Sequence, residues 1–360
     1  MLIFRYLVKE VSLTLVSLIT ILLLVFMSNQ FVRYLNRAAS GHIPGMIIMK
    51  LMMLEMPSLL GILLPLGFYV ALLVAYGRLY ADNEMTVLNA CGYSEGRLLK
   101  HSLIMASVIS LVVIIIMTWM SPIIAKERAK LMRSTGIQTM IKLIVPGRFR
   151  AISHGEKILY VEAMNREHTE AKNVFLARLD LKGAVPQWDI LWAEKAFAET
   201  DKEMDETYLV LEKGREYEGQ AGKADYQVVK FDEYRARLPH AKIDNLAGDL
   251  RTLPFKNLLP FNNADKAKAA ELQWRLSVPM MVFMLTLVAV PLSRINPRSG
   301  KYAKLLPAIV LYIIYANFMF VSRDWLSSGK VPLWIGMWWL HLIVGLLGCI
   351  LLYRNQTRQA

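Results

Sequence analysis

The segment VSLTLVSLITILLLVFMSNQFV (11–32) contains no Asp, Glu, Lys or Arg. Five more charge-free stretches follow, at 56–77, 101–125, 276–293, 305–322 and 331–353, and the six range from 18 to 25 residues. A helix rises ~1.5 Å per residue, so about 20 apolar residues cross the ~30 Å hydrocarbon core of a bilayer. Six such stretches, three on each side of a charged middle, read as six transmembrane helices. Between residues 126 and 268 no run exceeds eight positions without a charge, which excludes a span there. The expected fold class is therefore a membrane α-helical protein with one water-soluble domain inserted between the third and fourth helices. The expected divisions are 1–125, 126–268 and 269–360.

Composition agrees: 55% of residues are hydrophobic and the mean hydropathy is +0.36, high for a soluble domain. The net charge of +13 raises the question of nucleic acid. The middle segment 126–268 holds 25 Lys/Arg against 22 Asp/Glu, and the remainder holds 17 against 7. The excess thus sits at helix ends, where it sets topology, and no groove gathers it to track phosphates; no nucleic acid partner is expected. Cys91 and Cys349 lie far apart with no second cysteine at metal or redox spacing, so they read as free thiols. Arg5 and Lys9 precede the first stretch as in a signal peptide. That stretch ends in Ser28, Asn29 and Gln30 without a small-x-small site, so it reads as an uncleaved first helix.

Lys and Arg in short loops decide orientation. With the N-terminus inside, the inner segments carry Arg5, Lys9, Arg78, Arg97, Lys100, Arg294, Arg298, Lys301, Lys304, Arg354 and Arg358. The outer ones carry only Arg33, Arg37, Lys50, Arg323 and Lys330. Both termini are therefore expected in the cytoplasm, and the inserted domain outside it.

The insert reads as β. Apolar residues recur at every second position in EKILYVEAM (156–164), NVFLARLDL (173–181), ILWAEKAFAE (190–199), TYLVLEKGREYEG (207–219) and YQVVKFDEYRARL (226–238), separated by turn-rich clusters. No competing helical period is evident, and a sandwich or jelly roll is expected. It contains no HExxH, no GxSxG and no metal-spaced His/Cys cluster. His154 and His168 read as solvated loop histidines, and the acidic run ETDKEMDE (199–206) as a solvated turn, because it lacks EF-hand spacing. No cofactor and no metal are expected.

After the second stretch, GRLYADNEMTVLNACGYSEGRLLKHS (77–102) contains a short helix with its own signals. Asp82 or Asn83 is placed to cap it, Glu84 sits in its first turn, where the macrodipole favours an anion, and Gly92 is placed to stop it. Met85, Val87, Leu88 and Cys91 give it an apolar side. A helix of this kind over 82–92 is either a connector on the lipid headgroups or a knob that docks into a cytoplasmic subunit.

With RYLVKE (5–10), YADNEMTVLNACGYS (80–94), the β insert, ELQWRL (271–276) and VPLSRINPRSGKYAKLLPAIVLY (290–312), the chain resembles the LptF/LptG family, the six-helix permeases of the lipopolysaccharide export ABC transporter. ELQWR and VPLSRINPRSG bring it closer to the LptF branch than to LptG, whose role in the same complex is the nearest alternative. The resemblance implies a jelly-roll-like β domain in the periplasm of a multi-pass inner-membrane protein. It also implies an LptG-like partner permease, an LptB-like ATPase dimer, an LptC-like membrane protein and an LptA-like periplasmic bridge reached by strand addition at the jelly-roll edges. The chain has no GxxxxGK[ST], so ATP hydrolysis would belong to the separate LptB-like subunit and not to this chain. The family's acidic coupling residue falls on Glu84, with Asp82, Met85 and Leu88 as its companions in docking.

Lipopolysaccharide carries acyl chains and phosphates, so its cavity would be apolar with a basic outer rim. The resemblance places Arg33, Arg37 and Arg323 at that rim, although position 30, often basic in the family, is Gln30 here. Snorkelling at the interface is the other reading of these cations. Tyr312 and Tyr315 are three apart and share a helix face; they either line the acyl cavity or pack between helices. Two readings of another class remain. A periplasmic enzyme would show a catalytic group within 126–268, and an envelope scaffold would work without a partner ATPase.

Overall fold

The computed structural model describes residues 2–39, 43, 45–142, 146–152, 157–165, 170–180, 187–201, 206–219, 226–237, 250–259, 265–294 and 304–357. His154, His168, residues 202–205 of the acidic run, Arg298, Lys301 and Arg358 lie outside this range.

Helices α1 (Leu2–Ala39), α2 (Ile48–Ala81), α3 (Glu84–Ala90), α4 (Glu95–Ile115) and α5 (Ser121–Lys142) precede the sheet. Helices α6 (Phe255–Leu258), α7 (Lys266–Ser293), α8 (Leu305–Ser327) and α9 (Trp338–Thr357) follow it. Six helical stretches are long and apolar enough to span a bilayer: Leu2–Ala39, Gly45–Ala81, Glu95–Met132, Lys266–Ser293, Leu305–Ser327 and Trp338–Asn355. The first five each contain a whole charge-free stretch, and most extend beyond it because charged residues occupy the terminal turns; the sixth starts at Trp338, partway into the stretch 331–353. The third also continues further than expected. A π-helical turn at Ile116–Met120 joins α4 to α5, which carries the helix through Lys142. Residues 126–142 are therefore helical where the sequence suggested the start of a β domain. The segment has no clear amphipathic period to announce a helix, but its Ala, Lys, Arg, Glu and Met residues favour one. Gly61 of α2 faces the π turn: a Cβ there would stand 2.3 Å from Met117 Cε and 2.8 Å from Ile116 Cγ2.

Helix α7 is the centre of the helical unit and touches α2, α4, α8 and α9. Val282, Val288, Ala289 and Val290 on it have no exposed surface. Lipid tails are as apolar as these side chains, so close packing of small residues and interhelical hydrogen bonds hold such a core more than water exclusion does. The bonds are present: Ser110 Oγ donates to Pro279 O (3.2 Å), Asn355 Nδ2 to Pro291 O (3.1 Å), and Tyr76 and Ser102 share a buried hydroxyl contact of 2.9 Å. By contrast α1 and α8 present apolar side chains outward, among them Leu13, Leu24, Val25, Phe26, Ile313, Ile314 and Phe318. Such faces suit lipid or a second apolar protein surface.

The β unit is one six-stranded antiparallel meander, β1 (Arg150–Ile152), β2 (Lys157–Met164), β3 (Glu170–Asp180), β4 (Gln187–Asp201), β5 (Glu206–Gly219) and β6 (Gln227–Arg237). β2 to β6 coincide closely with the five alternating segments read from the sequence. The pairing lapses along one line across the sheet: neither Glu162 and Asn173, nor Asn173 and Glu194, nor Glu194 and Lys213, nor Lys213 and Asp232 are partners, though their neighbours on both sides are. Asn173 and Lys213 on this line adopt φ of 48° and 50°. The lapse breaks strict alternation, and so Ala171 and Val174, three apart, both enter the core with Val161, Leu191, Ala193, Ala196 and Leu211. Gly214 lies beside the line because a Cβ there would sit 2.5 Å from Trp192 O.

Candidate functional site

Two side-chain constellations stand out, one at each end of the helical unit. The first surrounds α3. Its C-terminus follows the sequence signal: Gly92 takes φ +83°, its N–H donates to Asn89 O (2.9 Å), and the Tyr93 N–H donates to Leu88 O (3.0 Å). These two bonds form a Schellman stop. The N-terminus departs from expectation. Asn83 occupies the cap position at φ 61°, and neither it nor Asp82 caps with its side chain. A capping residue needs extended backbone to aim its oxygen at the first turn, and a left-handed one cannot do so.

Burial then separates the residues expected to act together. Met85 is 1% exposed and packs in the core, so it anchors α3 to its own chain and is not available to a partner. Leu88 is half-buried, while Asp82, Glu84 and Val87 are exposed. Glu84 is oriented by a residue that the sequence reading missed: Tyr6, near the start of α1, donates to Glu84 Oε2 at 2.6 Å. Glu10 pairs with Arg78 at the end of α2, and Phe4 packs on His101 of α4 with ring centroids 5.0 Å apart. The first turns of α1 therefore grip all three helices of the hairpin that carries Glu84.

The second constellation is built on ELQWR (271–275), at the first turns of α7. Arg275 is 1% exposed and Glu271 5%. Arg275 Nε donates to Glu271 Oε1 at 2.9 Å. Its other nitrogens donate to Leu253 O (2.9 Å), Leu250 O (3.2 Å) and Arg251 O (3.1 Å). Glu271 Oε2 accepts from Arg323 Nη2 of α8 at 2.5 Å, and the Arg323 guanidinium lies 5.0 Å from the centre of the Trp274 ring. Gln273 holds the α8–α9 loop: its Nε2 donates to Leu333 O and its Oε1 accepts from Met337 N, both at 2.9 Å. The i,i+4 Glu/Arg spacing was the available signal.

Of the expected rim residues, Arg33 and Arg37 are exposed on α1, and Arg323 is engaged as described. Tyr315 is 3% exposed and bonds the buried His341 ring of α9, so it packs between helices and does not line an open cavity. Tyr312, half-buried, packs against the same core. Cys91 and Cys349 are free and exposed. In the β unit, Phe149, Tyr160, Phe175 and Trp192, with Glu162 and Asn173, line a shallow cavity of about 370 Å³. No group of His, Cys, Asp and Glu able to hold a metal is found among the described residues.

Residues 5–354 match the family "Lipopolysaccharide export system permease LptF/LptG". The chain belongs to the LptF/LptG family. It is 30% identical, over 352 residues, to the lipopolysaccharide export system permease protein LptF of Escherichia coli strain K12, covering 98% of this chain and 94% of that protein. The LptF proteins of Escherichia coli O157:H7 and Shigella flexneri match to the same extent. The function is that of a lipopolysaccharide export system permease, a transporter component with multiple membrane-spanning helices, and the relatives bear the LptF name. ELQWR, singled out as an LptF/LptG trait, is thus the structural hub at one end of the core.

Proposed function

We propose that this permease forms half of the membrane core of an ATP-driven exporter in the inner membrane. Both termini face the cytoplasm and the β unit faces the periplasm. An LptG-like permease supplies the other half, against the outward apolar faces of α1 and α8. An LptB-like ATPase dimer hydrolyses ATP, and α3 docks on it through Glu84, flanked by Asp82 and Val87. LptC-like and LptA-like proteins continue the path from the sheet edges. Arg33, Arg37 and Arg323 contact lipid A phosphates, and the aromatic cavity of the β unit suits acyl chains.

The observation that carries this reading is the presentation of α3. Met85 is buried and the Schellman turn is closed, so the helix is fixed to the core, while Glu84 stays exposed. A rigid helix with an outward carboxylate transmits a push; a loose connector does not. The test is Glu84→Ala in the full chain, scored by lipopolysaccharide reaching the outer membrane and by recovery of an ATPase with this chain. Membrane insertion should persist while export fails. Normal export by the variant would overturn the docking role.

A further inference from the structure

The ELQWR cluster places two guanidinium groups around one carboxylate, a net charge of +1 in a largely buried setting. The two arginines are not equivalent. Arg275 is 1% exposed and spends its donors on Glu271 and three backbone carbonyls. Arg323 is 25% exposed, lies beside Trp274, and bonds the far oxygen of the same Glu271. Arg275 thus pins the carboxylate from within, and Glu271 offers its second oxygen to the one arginine that also meets solvent. An anion arriving at Arg323 meets a guanidinium already shared with a fixed negative charge a hydrogen bond away. The carboxylate and the anion repel, and that repulsion is weakly screened at a buried site.

Building on the reading of Arg323 as a phosphate contact, we infer that Glu271 is an intramolecular competitor that keeps the anion at Arg323 loosely held. A site along a conduction path must bind well enough to admit its cargo and weakly enough to release it. Glu271 supplies the second condition, and Arg275 keeps it in position to do so. Glu271 is a positioning residue; Arg323 makes the contact.

The test uses the membrane complex recovered through this chain in nanodiscs, titrated with bisphosphorylated lipid A and with the same lipid A stripped of phosphate. Glu271→Gln keeps an acceptor for Arg275 Nε and removes the charge. It is expected to tighten binding of the phosphorylated lipid about three- to tenfold, chiefly through slower release, and to leave the stripped lipid unchanged. Arg323→Ala weakens the phosphorylated lipid only, and R323A/E271Q equals R323A because the gain needs the arginine. If E271Q does not reach the membrane, Glu271→Asp, which withdraws the carboxylate by one methylene, should shift affinity in the same direction. A purely structural role for Glu271 cannot produce tighter binding. If R323A weakens binding but neither Glu271 variant tightens it, the competitor role is overturned and the phosphate contact stands. If R323A binds both lipids as the wild type does, the phosphate contact itself is overturned.

Discussion

Tyr6 and Glu84 stand 78 positions apart and meet through a 2.6 Å hydrogen bond from phenol to carboxylate. The bond engages Oε2 of Glu84, and Tyr6 belongs to the helix that also fixes Arg78 through Glu10 and His101 through Phe4. The carboxylate proposed to couple this permease to its ATPase is therefore aimed by the first helix and not by its own cap. Tyr6→Phe should leave the complex assembled and reduce export about two- to fivefold, the scale of one solvent-exposed contact to a charged group. In a Glu84→Asp background, where the shortened carboxylate is drawn away from the phenol and part of export should survive, the same change should have no further effect. Export assays on the four variants of this cycle check both statements, and an additive loss in the double variant would mean that Tyr6 acts elsewhere.

Gly336 and Gln273 make the closest approach in the loop between α8 and α9. A Cβ on Gly336 would lie 1.9 Å from Gln273 Oε1, and the backbone there has φ +47°. Gly336→Ala should therefore destabilise the protein by at least about 2 kcal/mol, from overpacking and left-handed strain together. Gln273→Ala gives up the hydrogen bonds to Leu333 and Met337, at about 1–3 kcal/mol. Because removing the Gln273 amide also makes room for the new methyl, the double variant should be more stable than the sum of the singles indicates. Thermal melts of the detergent-solubilised protein report all three.

What the sequence disclosed follows the range of each interaction. The six spans and strands β2 to β6 rest on local periodicity, and Gly92 is a local stop, so all were legible. Residues 126–142 were not, because the charges of 126–133 end the apolar stretch and the remainder carries no clear helical period. Asn83 has the right residue type for a cap, but its left-handed backbone is imposed by the tight α2–α3 turn. ELQWR was legible only as a family motif, although its i,i+4 spacing allowed Glu271 and Arg275 to pair. Their burial was not, since it depends on carbonyls at 250, 251 and 253 and on Arg323, which only tertiary folding brings to them. Met85 shows the same limit: an apolar residue on a surface helix faces either its own core or a partner, and spacing alone does not say which.

Arg275 joins an ion pair to a backbone clasp, and the two contributions can be separated. Arg275→Met removes the charge opposite Glu271 and the donors to Leu250, Arg251 and Leu253. The expected loss is about 3–5 kcal/mol, as for other broken buried pairs. If the ion pair alone mattered, E271M/R275M would restore most of that loss, because apolar replacements for a buried pair are often neutral. In the double variant the three carbonyls still lack their donor and Arg323 has also lost Glu271, so recovery should be partial. Thermal melts check the energies, and hydrogen exchange at 250–253 should remain fast in both variants.

Glu216 on β5 offers a pH test within the sheet. Burial is the main cause that raises its carboxyl above the usual range, followed by its hydrogen bond and repulsion with Asp189. Asp189 Oδ2 is held by Arg178 at 2.8 Å, whereas its buried Oδ1 lacks a donor among the described residues. Burial first, and the neighbouring Asp189 second, are why the folded state retains the Glu216 proton more firmly than the unfolded chain does. The sign follows: the folded form gains from Glu216 when it is protonated, and this gain is lost as pH rises from the ordinary carboxylate range through the raised folded value. At neutral pH the ionised pair opposes folding. Glu216→Gln, which presents a permanent N–H donor, should raise the melting midpoint of the full chain at pH 7.5, with hydrogen exchange of the β4 and β5 amides as the local reporter. The two midpoints should converge below about pH 4, where the wild-type carboxyl carries its own proton. A stabilisation that persists undiminished at acid pH would assign the effect to packing and not to the shared proton.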